Sequence, residues 1–147
     1  MPRVDFYLLD DAAPKGVALL ACRLTEKAFL LGHRIYLRTA SAEQTQALDD
    51  LLWTFKQNAF LPHQPYSPEQ TLQVPILLGH AQEPADAGEV LINLGASLPA
   101  RYAQYARVAE IVGPDETQRG LARERFRVYR EQGCEMNTHH IAGNASP

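Results

Sequence analysis

Short apolar runs alternate along this chain with longer stretches in which apolar residues return every three or four positions. Val4 to Leu9 is a compact apolar run that ends in Asp10-Asp11 and reads as a buried first strand. Pro14 then opens a helix. Val17, Leu20, Ala21, Leu24, Ala28 and Leu31 fall on one helical face, and Gly32 stands at the place of a C-terminal cap. His33 to Arg38 is the next strand. The order strand, helix, strand predicts a right-handed crossover and a parallel sheet.

The alternation continues. Ser41, with Gln44 three residues on, is a capping box for a second helix whose buried stripe is Leu48, Leu51, Leu52 and Phe55. The stretch from His63 to Thr71 holds Pro65 and Pro68 and reads as a loop. Val74 to Leu78 and Val90 to Leu94 are two further strands, separated by the polar, turn-rich stretch from His80 to Gly88. A short helix from about Pro99 to Ala106 leads into a strand at Val108 to Val112. Gly113-Pro114 breaks the chain, and a last helix runs from Asp115 to Gln132 and stops at Gly133. The tail from Asn137 reads as short and irregular. With no repeat and no dividing linker, residues 1–147 form a single α/β domain. Its expected form is a doubly wound, mainly parallel sheet with helices on both faces, a Rossmann-like topology.

Composition narrows the class. A chain of 147 residues with 46% apolar and 21% charged residues buries a core without staples. A net charge of −3 argues against a protein that binds nucleic acid over its whole surface. Cys22 sits in an apolar helical run and reads as a buried thiol, and no CxxC pair supports a zinc or redox site. The start of the chain lacks the pattern of a secretory signal, and no apolar run approaches the ~20 residues that span a bilayer. A cytoplasmic protein with no membrane contact is expected.

A doubly wound sheet raises the question of a nucleotide. GxxxxGK[ST] is missing, and so is GxGxxG after the first strand. The acidic Asp10-Asp11-Ala12-Ala13-Pro14 follows that strand, and Pro14 removes a backbone donor from the helix start, so phosphate binding is disfavoured. Asp10 and Asp11 offer a magnesium pair or, more simply, a solvated turn. His139-His140 are adjacent in a polar tail with no obvious third ligand. No nucleophile–base signature occurs, and neither a cofactor nor a resident metal is expected.

Two surface constellations remain. Five of the eleven arginines lie between Arg119 and Arg130, and Arg119, Arg123, Arg127 and Arg130 share one stripe of the last helix. Phe126 borders that stripe, while Leu121 and Val128 point toward the expected core. Glu124 and Glu131 fall on another side. Arginine forks suit carboxylates and phosphates, so the ridge predicts an anionic ligand with an apolar part, such as an acidic peptide. Arg125, on the apolar side, reads as a structural ion-pair partner. Trp53, the single tryptophan, projects roughly 150° from the buried stripe of its helix. Phe60-Leu61-Pro62 follow close behind, and exposed neighbouring aromatics suggest a protein interface unless a loop covers Trp53.

Phe6-Tyr7-Leu8-Leu9-Asp10, Leu48-Asp49-Asp50-Leu51-Leu52-Trp53, Phe60-Leu61-Pro62-His63 and the run Leu121 to Arg130 followed by Asn137-Thr138 together resemble the chi subunit of bacterial DNA polymerase III. The likeness covers nearly the whole chain. It implies a non-catalytic adaptor of the clamp-loader complex. Its partners would be the psi subunit and the acidic C-terminal tail of single-stranded DNA-binding protein, which ends in a phenylalanine with a free carboxylate. By that resemblance Arg119, Arg123, Phe126, Arg127 and Val112 belong to the tail site. Trp53, Phe60, Leu61 and Pro62 belong to the psi surface, which some bacteria also use for a helicase-like protein. Arg119 stands where the family often has lysine and Phe126 where it has tyrosine, and the tail after Thr138 departs from the pattern. The alternatives are a nucleotide- or metal-dependent enzyme using Asp10 and Asp11, and a direct nucleic-acid binder using the arginine helix.

Overall fold

The computed structural model describes residues 1–10, 16–69, 74–80, 82–85 and 88–142. Pro14 and Asp11, expected at the first helix start and the acidic turn, lie outside them. Among the described residues the elements run β1 (Arg3–Leu9), α1 (Gly16–Leu30), β2 (Ile35–Arg38), α2 (Ala42–Thr54), β3 (His63–Pro65), β4 (Ile76–Gly79) and β5 (Val90–Asn93). A single 3-10 turn, Tyr102–Gln104, then precedes β6 (Arg107–Val112), α3 (Glu116–Glu131) and β7 (Glu135–Ile141).

These strands form one sheet in the order β3-β4-β2-β5-β6-β1-β7, and every neighbouring pair is parallel. The two faces carry separate cores. Tyr7, Leu9, Ile35, Leu37 and Ile92 meet α1 and α2 through Leu20, Leu24, Leu48 and Leu52. Val4, Phe6, Tyr36, Leu91 and Val108 meet α3 through Ala122 and Tyr129. Helices on both faces of a parallel sheet are the doubly wound arrangement that the alternating pattern predicts.

The local signals act as expected at the helix ends. Gly32 adopts φ 88°, and the amide of His33 donates to the Ala28 carbonyl at 3.1 Å, closing α1. Ser41 Oγ accepts from the Gln44 amide at 3.1 Å, while Gln44 Oε1 reaches back to the Ala40 amide at 2.6 Å.

Three expectations are corrected. The tail is not irregular: residues 135–141 form β7, paired with β1 from Arg3↔Glu135 to Leu9↔Ile141. An edge strand keeps one flank in water and so need not be apolar, which hides Glu135, Asn137 and His140 from a pattern reading. His63–Pro65, read as loop, is the opposite edge strand, where a proline costs no ladder bond. The helix expected over 99–106 is only the 3-10 turn; Tyr102 and Tyr105, three apart, both join the core layer under α3.

Candidate functional site

Helix α3 starts at Asp115, whose carboxylate accepts from the Gln118 amide at 3.0 Å, and ends at Gly133, with φ 88°. Its buried positions are Ala122, Arg125 and Tyr129. Leu121 is 41% exposed, so the inward stripe is turned by one residue from the expected Leu121 and Val128. The reason is a polar cluster that the periodicity of apolar residues cannot reveal. Glu110, on β6, is wholly buried, and Arg125 Nε reaches its carboxylate at 3.1 Å. Tyr129 donates to the same carboxylate at 2.6 Å and Asn93 at 2.9 Å. Burial pushes the Glu110 carboxyl above its usual range, against the opposing pull of Arg125, Tyr129 and Asn93. The structural ion-pair role expected for Arg125 is the one it fills.

The arginine ridge divides by partner. Arg119 donates from Nη2 to the Leu9 carbonyl at 2.6 Å and from Nε to the Gly113 carbonyl at 3.2 Å. It therefore ties α3 to the ends of β1 and β6. Arg127 lies between Glu124 at 2.9 Å and Glu131 at 3.0 Å. This corrects the expectation that those acids sit apart from the ridge; spacings of three and four bring them alongside. Arg123 is different: its side chain is 70% exposed and its nearest carboxylate, Glu116, is 4.0 Å away. Arg130 stands over the Phe126 ring, 5.9 Å from its centroid. Phe126 is half-buried, its ring 5.3 Å from that of Phe6. Val112 lies in the same core layer and is 2% exposed, so it can only support this edge from beneath. The result is a partly open aromatic edge flanked by the cations Arg123 and Arg130.

The second constellation lies across the sheet. Trp53 is 49% exposed and Phe60 72%, with ring centroids 6.1 Å apart. Among the described residues no loop covers Trp53. Beneath it sits His63, centroid to centroid 4.2 Å. The His63 ring is held from both sides: Nδ1 against the Leu61 carbonyl, Nε2 against the Asp49 carbonyl at 3.1 Å. Nothing in the periodicity of α2 announces this platform, although His63 follows directly on Phe60-Leu61-Pro62. Pro62 is half-buried at the edge of the patch, whereas Leu61 is 2% exposed and belongs to the core.

Other candidate chemistry is modest. Asp10 is exposed and 3.6 Å from His140, and His139 pairs with Asp5 at 2.9 Å. Among the described residues no three His, Cys, Asp or Glu side chains converge as a metal site. Cys22 is buried, and burial pushes its thiol up to about 12. No helix of the described residues is long and apolar enough to cross a membrane.

Residues 1–137 match the family described as DNA polymerase III chi subunit, HolC. The chain belongs to that family. Among curated relatives, DNA polymerase III subunit chi of Pseudomonas aeruginosa is 39% identical over 141 residues, covering 96% of this chain and 98% of the relative. DNA polymerase III subunit chi of Escherichia coli is 27% identical over 143 residues, covering 94% and 97%. The chi family match ends at residue 137, within β7.

Proposed function

We propose that this chi-family chain is a non-catalytic accessory subunit of DNA replication in the cytoplasm, an adaptor with two protein-binding surfaces. One takes the psi subunit at Trp53 and Phe60. The other takes the acidic C-terminal tail of single-stranded DNA-binding protein along Arg123, Phe126 and Arg127, with Arg119 holding the helix in place. The observation that carries the reading is the placement of the two surfaces. Helix α2 packs on β3 and β4 at one end of the sheet, through the core on one face. Helix α3 packs on β6 and β7 at the other end, through the opposite core. Two partners docked there would not collide.

The chemistry of each surface fits its ligand. A terminal phenylalanine packs against the open edge of Phe126. Its carboxylate and upstream aspartates meet Arg123 and Arg130, which carry few competing acids. Such contacts are exposed and screened, so the affinity should be micromolar, about −8 kcal/mol, and should fall with salt. Linkage through psi adds avidity where several tails are presented. Leu61 and Val112 act as the floors of the two surfaces.

The test is fluorescence anisotropy with a labelled tail peptide and a control lacking its last phenylalanine. Binding that requires that residue, weakens with Arg123→Ala and is unchanged by Trp53→Ala supports the adaptor reading. Absence of binding at low salt by the folded chain overturns the tail site.

A further inference from the structure

Between α1 and the sheet lies a cavity of about 450 Å³, on the face opposite α3. Tyr7 and Ile92 of the sheet and Leu24 and Ala28 of α1 give it apolar walls. Arg3, Arg107, Lys27 and His139 stand around it. Its size and its mix of apolar wall and converging polar groups are those of a small-molecule site.

The charges do not cancel. Parallel register sets Arg3 beside Arg107 on neighbouring strands, an arrangement of like charges that by itself repels. Asp5, on the same face and 1% exposed, lies 3.1 Å from Arg107 Nη2, 3.3 Å from Arg3 Nε and 2.9 Å from His139 Nε2. Among the described residues that line the groove, one carboxylate, Asp5, stands against the three permanent cations Arg3, Arg107 and Lys27, an excess of two positive charges in a chain whose net charge is −3. Glu135 touches Arg3 at only 3.8 Å and is 70% exposed, so it neutralises little. The Arg3 and Arg107 side chains are 45% and 46% exposed, and each keeps N–H donors beyond those Asp5 takes. A flat surface adjoins them: the His139 ring lies on Tyr7 at 4.7 Å and 14°.

We propose that this groove binds a small anion carried on a flat apolar body. Arg3 and Arg107 fork onto the anion, a carboxylate or a phosphate. Lys27 adds charge from the last turn of α1, and the body lies against the apolar walls and the Tyr7–His139 stack. The site is independent of the adaptor surfaces, which lie on α3 and around Trp53.

The experiment is a titration of the full chain, followed by amide correlation spectra, with two probes: 3-phenylpropionate and adenosine 5′-monophosphate. Saturable shifts at Arg3, Asp5, Arg107 and His139, with a dissociation constant of about 1 mM or tighter, are expected from at least one probe. Saturation by phenylpropionate alone identifies the anion as carboxylate, by the nucleotide alone as phosphate, and by both as either. Arg107→Lys keeps a charge beside Asp5 but loses the fork, and should weaken binding roughly tenfold. Lys27→Glu, on the exposed side of α1 and so safe for folding, should weaken it at least about fivefold. No saturation by either probe at about 5 mM, or a Lys27→Glu variant that binds unchanged, overturns the proposal.

Discussion

Arg125 and Glu110 form an ion pair at 3.1 Å in which the two side chains are 6% and 0% exposed. Arg125 also donates to the Ala96 carbonyl at 2.6 Å, and Glu110 accepts from Tyr129 and Asn93. The pair decides which side of α3 faces the sheet, and through that which arginines reach solvent. Arg125→Ala would strip Glu110 of its cation inside the core. A loss of about 3–5 kcal/mol is expected in urea unfolding, since removing one partner of a buried pair leaves the other unsatisfied. A loss below about 1 kcal/mol, the range of exposed pairs, would show that the cluster is not closed in solution.

The ridge holds one arginine in reserve. Arg127 is engaged by Glu124 and Glu131, whereas Arg123 is nearly free. Glu131→Gln should free Arg127 Nη1, Glu124 still holding Nε and Nη2, and so tighten tail-peptide binding. Exposed pairs are worth roughly 0.2–1 kcal/mol, so the gain is at most about fivefold. Anisotropy with wild type and variant side by side measures it; weaker binding by Glu131→Gln would remove Arg127 from the site.

At the other surface, exposure separates binding from folding. Trp53 is half in solvent, so Trp53→Ala should abolish co-purification with psi while moving the urea midpoint little. His63 is buried and bonded on both ring nitrogens. His63→Ala should lose psi binding and also about 1–3 kcal/mol of stability, because the carbonyl that accepts the ring N–H loses its buried donor. Full psi binding by His63→Ala would show that Trp53 needs no platform.

Acid should act through Asp5. Burial raises its carboxyl, but hydrogen bonds from His139 and Arg107 and the charges of Arg3 and Arg107 outweigh that and leave it below the usual range. A lowered folded value means that the unfolded chain binds more protons near the unfolded value of about 3.9. The contribution is therefore complete above that value and is lost as pH falls through the folded one. The stability gap between wild type and Asp5→Asn, from urea midpoints, should be largest near neutral pH and shrink below about pH 4. A gap constant across that range would mean that Asp5 does not titrate with folding.

Much of this was written locally. The runs at 4–9, 35–38, 76–79 and 90–93 are strands because parallel strands covered on both sides are apolar at most positions, with buried Asp5 and Asn93 among the exceptions, and that signal survives in a one-dimensional pattern. Gly32 and Ser41 mark helix ends because capping is a matter of a few consecutive residues. The family is also legible, since its motifs are runs of residues. Arg125 was separable from the ridge by helical phase alone.

What the pattern could not hold is what depends on residues distant in sequence. Strand β7 exists because β1, more than 125 residues earlier, offers it a free edge, and an edge strand need not look apolar. The rotation of α3 depends on Glu110, a lone acid inside an apolar strand whose partner is fixed only once α3 lies over β6. Likewise Asp5 collects Arg3, Arg107 and His139 from three strands. Local pattern is enough for the helices, the central strands and the family. The tertiary structure decided which charges are spent on one another and which remain for a partner, because Coulombic pairing follows distance in space, and the chain order does not contain it.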